Sequence, residues 1–94
     1  MSTLMLMNWP EVSSAQYQQA REEIDWEGDI PKGAKFHVAW MGEDGFHALD
    51  LWESKEEFQK FVQERLTPGV QKIGIQGQPQ VTFAEPLSIF APDI

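Results

Sequence analysis

The sequence predicts an α+β fold of the ferredoxin-like βαββαβ type: a four-stranded antiparallel sheet with helices on one face. Three observations carry that prediction. In FHALDLWESKEEFQKFVQERL, residues 46–66, the hydrophobic period changes part-way along. Phe46 to Trp52 reads as an extended strand, whereas Phe58, Phe61, Val62 and Leu66 recur at the spacing of one helix face. Just before it, Ala34 to Met41 alternates Phe36, Val38 and Trp40 with Lys35, His37 and Ala39, and Gly42-Glu43-Asp44-Gly45 supplies a hairpin turn. Towards the N-terminus, a short apolar run closed by Trp9-Pro10 is followed by a second helical pattern, so each half of the chain contains a strand-to-helix handover.

The elements follow in order. Thr3 to Asn8 is nearly all apolar, which fits a strand buried between two neighbours. Ser13, with Gln16 three residues on, forms a capping box that starts a helix. Tyr17, Ala20 and Ile24 make its core stripe, and the turn-rich DWEGDIPKG, residues 25–33, ends it. After the hairpin, Ser54 and Glu57 form a second capping box at the junction of strand and helix. That helix is expected to run to Leu66. A separate helical turn then begins with Thr67 as N-cap and Pro68 at its first position; Val70 and Ile73 face inward and Gly74 ends it. Gln76 to Pro79 reads as loop, and Val81 to Phe90 as a last strand bent at Pro86.

At 94 residues the chain is expected to be one domain spanning 1–94, with a thin core burying roughly 60–65% of the surface the unfolded chain exposes. The net charge is −8, and the seven basic residues are scattered without a patch, so nucleic acid is not an expected partner. The absence of cysteine excludes disulfides, thiolate catalysis and cysteine-ligated metal sites. The N-terminal apolar run lacks a basic leader and is too short to span a membrane, so a soluble cytoplasmic protein is expected.

Both faces of the predicted sheet carry large apolar groups. Phe36, Val38 and Trp40 share one face of the hairpin, while Met41, Phe46 and Trp52 belong to the other. Helices can cover only one of them. Since soluble monomers rarely leave so large a patch bare, the pattern predicts a homodimer through the sheet face, two sheets meeting across a two-fold axis.

Element order, the short first strand ending in Asn8, the segment Asp50-Leu51-Trp52-Glu53-Ser54 leading into Phe58 and Phe61, and Leu66-Thr67-Pro68 beyond it together resemble the dimeric α/β-barrel proteins of the antibiotic biosynthesis monooxygenase-like superfamily. The resemblance covers nearly the whole chain. It implies a dimeric barrel and admits several activities: cofactor-independent monooxygenases of aromatic polyketides, haem-degrading enzymes, isomerases and members of unassigned role. In the haem-degrading branch, Asn8 and Trp52 would match two functional positions. The histidine required on the following helix is missing, since Ser54 to Leu66 contains none, so the iron would lack its axial ligand. No cofactor and no metal are expected. The two histidines have opposite strand parity and no acidic cluster accompanies them at ligand spacing.

His37 with Asp50 is the one constellation that suggests catalysis. If the hairpin turns within Gly42–Gly45 so that Met41 pairs with Phe46, His37 faces Asp50 directly. A tighter loop at Asp44-Gly45 makes them diagonal neighbours, and both registers keep them on one face beside Trp52, whereas a bulge in the turn would separate them to opposite faces. A carboxylate there would orient the imidazole and balance the charge it acquires on taking a proton, as a general base requires. The plainer reading is a cross-strand polar pair contributing roughly 0.2–1 kcal/mol. Trp52 suits the wall of an aromatic-ligand pocket or simply the core. Asn8 could hydrogen-bond a substrate oxygen or satisfy backbone at the strand end. Tyr17 could point its hydroxyl into the same cavity, though its place on the helix face weighs towards a plain core tyrosine. His47 is expected to be solvated near the hairpin end.

Two functions remain open on this evidence. One is a non-catalytic homodimer, a ligand-binding or structural and stress-related barrel domain of unassigned role. The other is a cofactor-independent monooxygenase-like enzyme acting on a small aromatic or quinone-like substrate. A chain this short spends most of its aromatics on its core, which weighs towards the first.

Overall fold

Strand β1 (Thr3–Trp9) lies in the interior of the sheet in the computed structural model, which describes residues 2–94. Its run of apolar residues suits that place, because both its edges are hydrogen-bonded. Strand β3 (Gly45–Trp52) pairs antiparallel on one side and β4 (Gln80–Ala84) on the other. Strand β2 (Ala34–Gly42) pairs with β3 and completes the order β2-β3-β1-β4. With helix α1 (Ser14–Ile24) after β1 and a helical stretch between β3 and β4, the architecture is the ferredoxin-like one expected.

Local chemistry sets the joints. Ser13 caps α1 reciprocally: its Oγ accepts from the Gln16 N–H at 3.1 Å, and its own N–H donates to Gln16 Oε1 at 3.0 Å. At the other end Asp25 takes the left-handed conformation, with φ 55°. The Arg65 guanidinium donates to the Ile24 carbonyl at 2.8 Å, satisfying an acceptor at the end of α1 from a distant element. Helix α2 (Lys55–Phe61) opens where Ser54 Oγ accepts from the Glu57 N–H at 3.2 Å.

The expected break at Thr67 does not occur. Helix α2 passes through a π-helical segment, Val62–Leu66, straight into α3 (Thr67–Ile73), and Leu66 and Thr67 both keep right-handed helical angles. Thr67 is therefore not an N-cap; its N–H bonds to the Val62 carbonyl five residues back. Pro68 has no N–H to offer the carbonyl four residues before it, and the wider π register absorbs that loss without ending the helix. Gly74, at φ 87°, then terminates α3 as read from the sequence.

Gly69 is buried where α3 meets α1, and a Cβ there would run into the Ile24 side chain. Close helix approach, not turn chemistry, calls for glycine at this position. Gly69→Val is expected to lower stability by about 1–3 kcal/mol through overpacking against Ile24, which a urea melt measures. An unchanged midpoint would show that the two helices separate freely.

The last strand is shorter than expected. It ends at Ala84, whose partner Leu4 is the last β1 residue in that ladder, and Pro86 cannot donate a further bond. Residues 85–94 leave the sheet. Along them Leu87, Ile89, Phe90 and Ile94 are exposed.

The pleat sorts the side chains. Met5, Met7 and Trp9 of β1 and Phe46, Ala48 and Trp52 of β3 are buried with Val12 and Phe58 beneath the helices. The alternate residues point away from the helices: Leu4 and Leu6, Phe36, Val38 and Trp40, Leu49 and Leu51. Leu6, Val38 and Trp40 are 42%, 41% and 47% exposed there, so the face opposite the helices is apolar and open. Among the described residues no helix is long and apolar enough to cross a membrane.

Candidate functional site

The hairpin turns so that Met41 pairs with Phe46 and Gly42 with Gly45, leaving Glu43 and Asp44 as its tip. Gly45 has φ 104°, and a Cβ on it would come within 2.6 Å of the Pro10 Cα. That turn sets the register for everything below it, and His37 comes directly opposite Asp50. Both point into the space between sheet and helices, since Asp50 shares the parity of the buried Phe46, Ala48 and Trp52.

A hydrogen-bonded chain runs along this wall. Asp50 is 7% exposed, a buried carboxylate that requires partners. Its Oδ2 accepts from the Trp52 indole N–H at 3.0 Å, a contact that strand geometry provides between residues two apart on one face. Its Oδ1 lies 2.6 Å from His37 Nδ1. Only an acceptor faces Nδ1, so that nitrogen carries the ring proton and Nε2 of the neutral ring holds the lone pair. The Tyr17 hydroxyl lies 2.7 Å from Nε2 and, with the ring in that neutral form, donates to it. Tyr17 reaches this point from α1, its ring packed on Phe46 with centroids 5.1 Å apart.

The chain of four borders a cavity of about 470 Å³, whose other walls are largely apolar, with Met5, Met7, Phe58 and Phe61 among them. That volume falls within the roughly 300–1,000 Å³ typical of small-molecule sites. Trp26 and Glu27 also line it. Trp26 stands edge-on to the His37 ring at 5.5 Å and 5.8 Å from the Tyr17 ring. Sequence reasoning missed Trp26, which lies in the aperiodic stretch 25–33; its only signal was a large aromatic in a turn-rich loop.

Asn8 requires a correction. It does not reach the cavity. Trp9 and Met7 on either side of it are buried beneath the helices, so the pleat turns Asn8 to the opposite face. There its amide donates to the Phe46 carbonyl at 3.1 Å, the strand-end backbone role. His47 is beside it and is only partly solvated: its side chain is 23% exposed, stacked on Trp40 with ring centroids 5.3 Å apart and paired with Asp44. The structure thus gathers Tyr17, His37, Asp50 and Trp52 and leaves Asn8 out.

Burial raises the Tyr17 hydroxyl pKa above its ordinary value of 10.0; the nearby Arg21 charge opposes the shift, while Glu27 and Asp50 add to it. Tyr17 therefore keeps its proton throughout the neutral range. A group whose pKa is raised in the folded state contributes stability below the unfolded value, and that contribution is lost as pH climbs through the folded one. As Tyr17 is the single tyrosine of the chain, phenolate absorbance reads it alone. The expected midpoint lies above 10 in the folded protein and returns to about 10 in denaturant. A folded midpoint at or below 10 would contradict the buried, donating hydroxyl.

Among the described residues no group of three or more histidine or acidic side chains is placed to hold a metal ion. No family model matches the sequence, and no curated protein does either. Solved structures do match. SnoaB, a cofactor-independent oxygenase from Streptomyces nogalater, superposes with a TM-score of 0.64 at 9% identity, over 98% of this chain and 97% of that one. The monooxygenase from the gene ActVA-Orf6 of Streptomyces coelicolor, in complex with nanaomycin D, gives 0.61 at 15% identity, over 98% and 92%. Rv0793 from Mycobacterium tuberculosis gives 0.63 at 13% identity, over 96% and 98%. The chain has the fold of the antibiotic biosynthesis monooxygenase-like proteins, the superfamily that its sequence resembles.

Proposed function

We propose that the protein is a homodimeric, cofactor-independent monooxygenase-like enzyme acting on a small aromatic or quinone-like molecule. The observation that carries this reading is the cavity of about 470 Å³ with one hydrogen-bonded polar wall, Tyr17–His37–Asp50–Trp52, facing apolar ones. Chemistry of this kind asks little of the protein. Apolar walls hold the ring system, and a base removes a proton from a hydroxyl-bearing ring. The resulting electron-rich anion then reduces dioxygen, which supplies the inserted oxygen atom and leaves as water with the other. With Asn8 turned away, the positive charge gained by His37, balanced by Asp50, is the group available to hold that anion.

Ligand binding without turnover is the second reading. It is favoured by the engagement of both His37 ring nitrogens, which leaves the imidazole no free lone pair in the resting site. Oxygen uptake in the presence of dihydroxynaphthalenes separates the two. The enzyme reading expects uptake well above autoxidation, lost in His37→Ala while the oligomer persists. Binding with no added uptake selects the non-catalytic barrel, and uptake unchanged in His37→Ala removes the polar wall from the chemistry.

A further inference from the structure

We propose that Tyr17, rather than His37, is the catalytic residue that exchanges a proton with the bound ligand, and that His37 and Asp50 act behind it as a relay held in place by Trp52. The proposal rests on the reading of the cavity as a ligand site. It starts from the occupancy of the imidazole. Nδ1–H is committed to Asp50 at 2.6 Å and the Nε2 lone pair to the Tyr17 hydroxyl at 2.7 Å, so no ligand atom can reach a basic nitrogen without displacing Tyr17. Tyr17 lines the cavity too, and a hydroxyl that donates to Nε2 still has lone pairs on Oη with which to accept.

The step balances without ionising the tyrosine. A ligand hydroxyl hydrogen-bonds to Oη. Its O–H bond breaks as a new O–H bond forms on Oη, while the original Tyr17 proton moves to His37 Nε2. The products are a ligand phenolate, a neutral Tyr17 and an imidazolium against the Asp50 carboxylate. A raised phenol pKa is no obstacle, because a free tyrosinate never forms. Trp52 supplies no proton. Its N–H fixes Oδ2 at 3.0 Å and so leaves Oδ1 for His37, which makes it a positioning residue. The ligand class that fits is a neutral aromatic with one acidic hydroxyl directed at α1 and its ring among the apolar walls. Trp26 packs next to both Tyr17 and His37, at 5.8 and 5.5 Å between ring centroids, and adds an aromatic wall beside the transfer path.

The test uses 4-nitrophenol, whose phenolate is visible by absorbance. On binding the wild type, the ratio of ionised to neutral ligand is expected to rise by about tenfold at a fixed pH near neutrality, as for an acid brought next to a cation-forming partner. Tyr17→Phe retains the ring that packs on Phe46 and Trp26, so it is expected to bind with similar affinity but leave the ligand ionised no more than in free solution. His37→Asn is expected to do the same. If Tyr17→Phe ionises the ligand as well as the wild type does, His37 acts directly and the proposal fails. Binding to the wild type without added ionisation overturns the relay and leaves the ligand site standing, whereas no binding overturns both. Nitrogen-15 NMR of the unliganded wild type needs no variant to fold: a neutral His37 protonated on Nδ1 supports the relay, and one protonated on Nε2 overturns it.

Discussion

Asp50→Asn is expected to lower turnover by about 10²–10⁴-fold while leaving the sheet folded. The carboxylate accepts two hydrogen bonds, from His37 Nδ1 at 2.6 Å and from the Trp52 indole at 3.0 Å. An amide of nearly the same shape has one accepting atom and one donating group. If its oxygen keeps the indole, its NH₂ faces Nδ1 and forces the ring proton to Nε2. Nε2 can then no longer accept from Tyr17. If the oxygen keeps His37 instead, two donors collide at Trp52. Either way the negative charge that balances an imidazolium is gone. The loss of one buried partner costs about 1–3 kcal/mol of stability, enough to shift a melt without abolishing the fold. Rate alone does not separate disturbed packing from a broken relay, but the tyrosine titration does. Burial is the main cause of the raised Tyr17 pKa and the Asp50 charge adds to it, so Asp50→Asn moves the phenolate midpoint down if the two remain close. Full turnover in this variant would remove Asp50 from the chemistry.

The His37–Asp50 pairing was legible because both regular turns open to residues 42–45 preserve the parity of the two strands, and the bulge that would have separated the pair is absent from the turn. A sequence can therefore place two side chains on one face without settling the loop. Asn8 was misplaced for the complementary reason. In a strand with apolar residues on both faces the run carries no alternation, and Leu4 and Leu6 read like Met5 and Met7. The adjacent Trp9 was the available signal, since a tryptophan in the core puts its strand neighbour on the other side. The continuous passage through Pro68 depends on a π register that helix periodicity does not encode. Gly69 and Arg65 answer to α1, more than forty residues earlier, so their roles appear only when the two helices pack. The C-terminal strand was overextended because Val81 to Phe90 keeps strand-like composition after β1 has run out of partners at Leu4.

Replacing Val38 and Trp40 together by lysine is expected to convert a dimer into monomers and, of all the variants considered, to destabilise the assembly most. These residues project from β2 on the face opposite the helices, 41% and 47% exposed, beside Leu6 at 42% and the half-buried Phe36, Leu49 and Leu51. Among the described residues no helix or strand covers that face. Sheet-to-sheet association about a two-fold axis would cover it with an identical surface, so each substitution enters the interface twice. A central tryptophan in such an interface is commonly worth about 2 kcal/mol or more. Lost from both subunits, it raises the Kd by roughly a thousandfold before the lysine charges are counted. Sedimentation at micromolar concentration is the direct measurement, with a dimer expected for the wild type and a monomer for the double variant. Because the cavity lies on the other side of the sheet, the monomer's Tyr17 titration is expected to keep its raised midpoint, provided the fold survives. A wild type that sediments as a monomer, or a double variant that stays dimeric, would mean that this face is not where the copies meet.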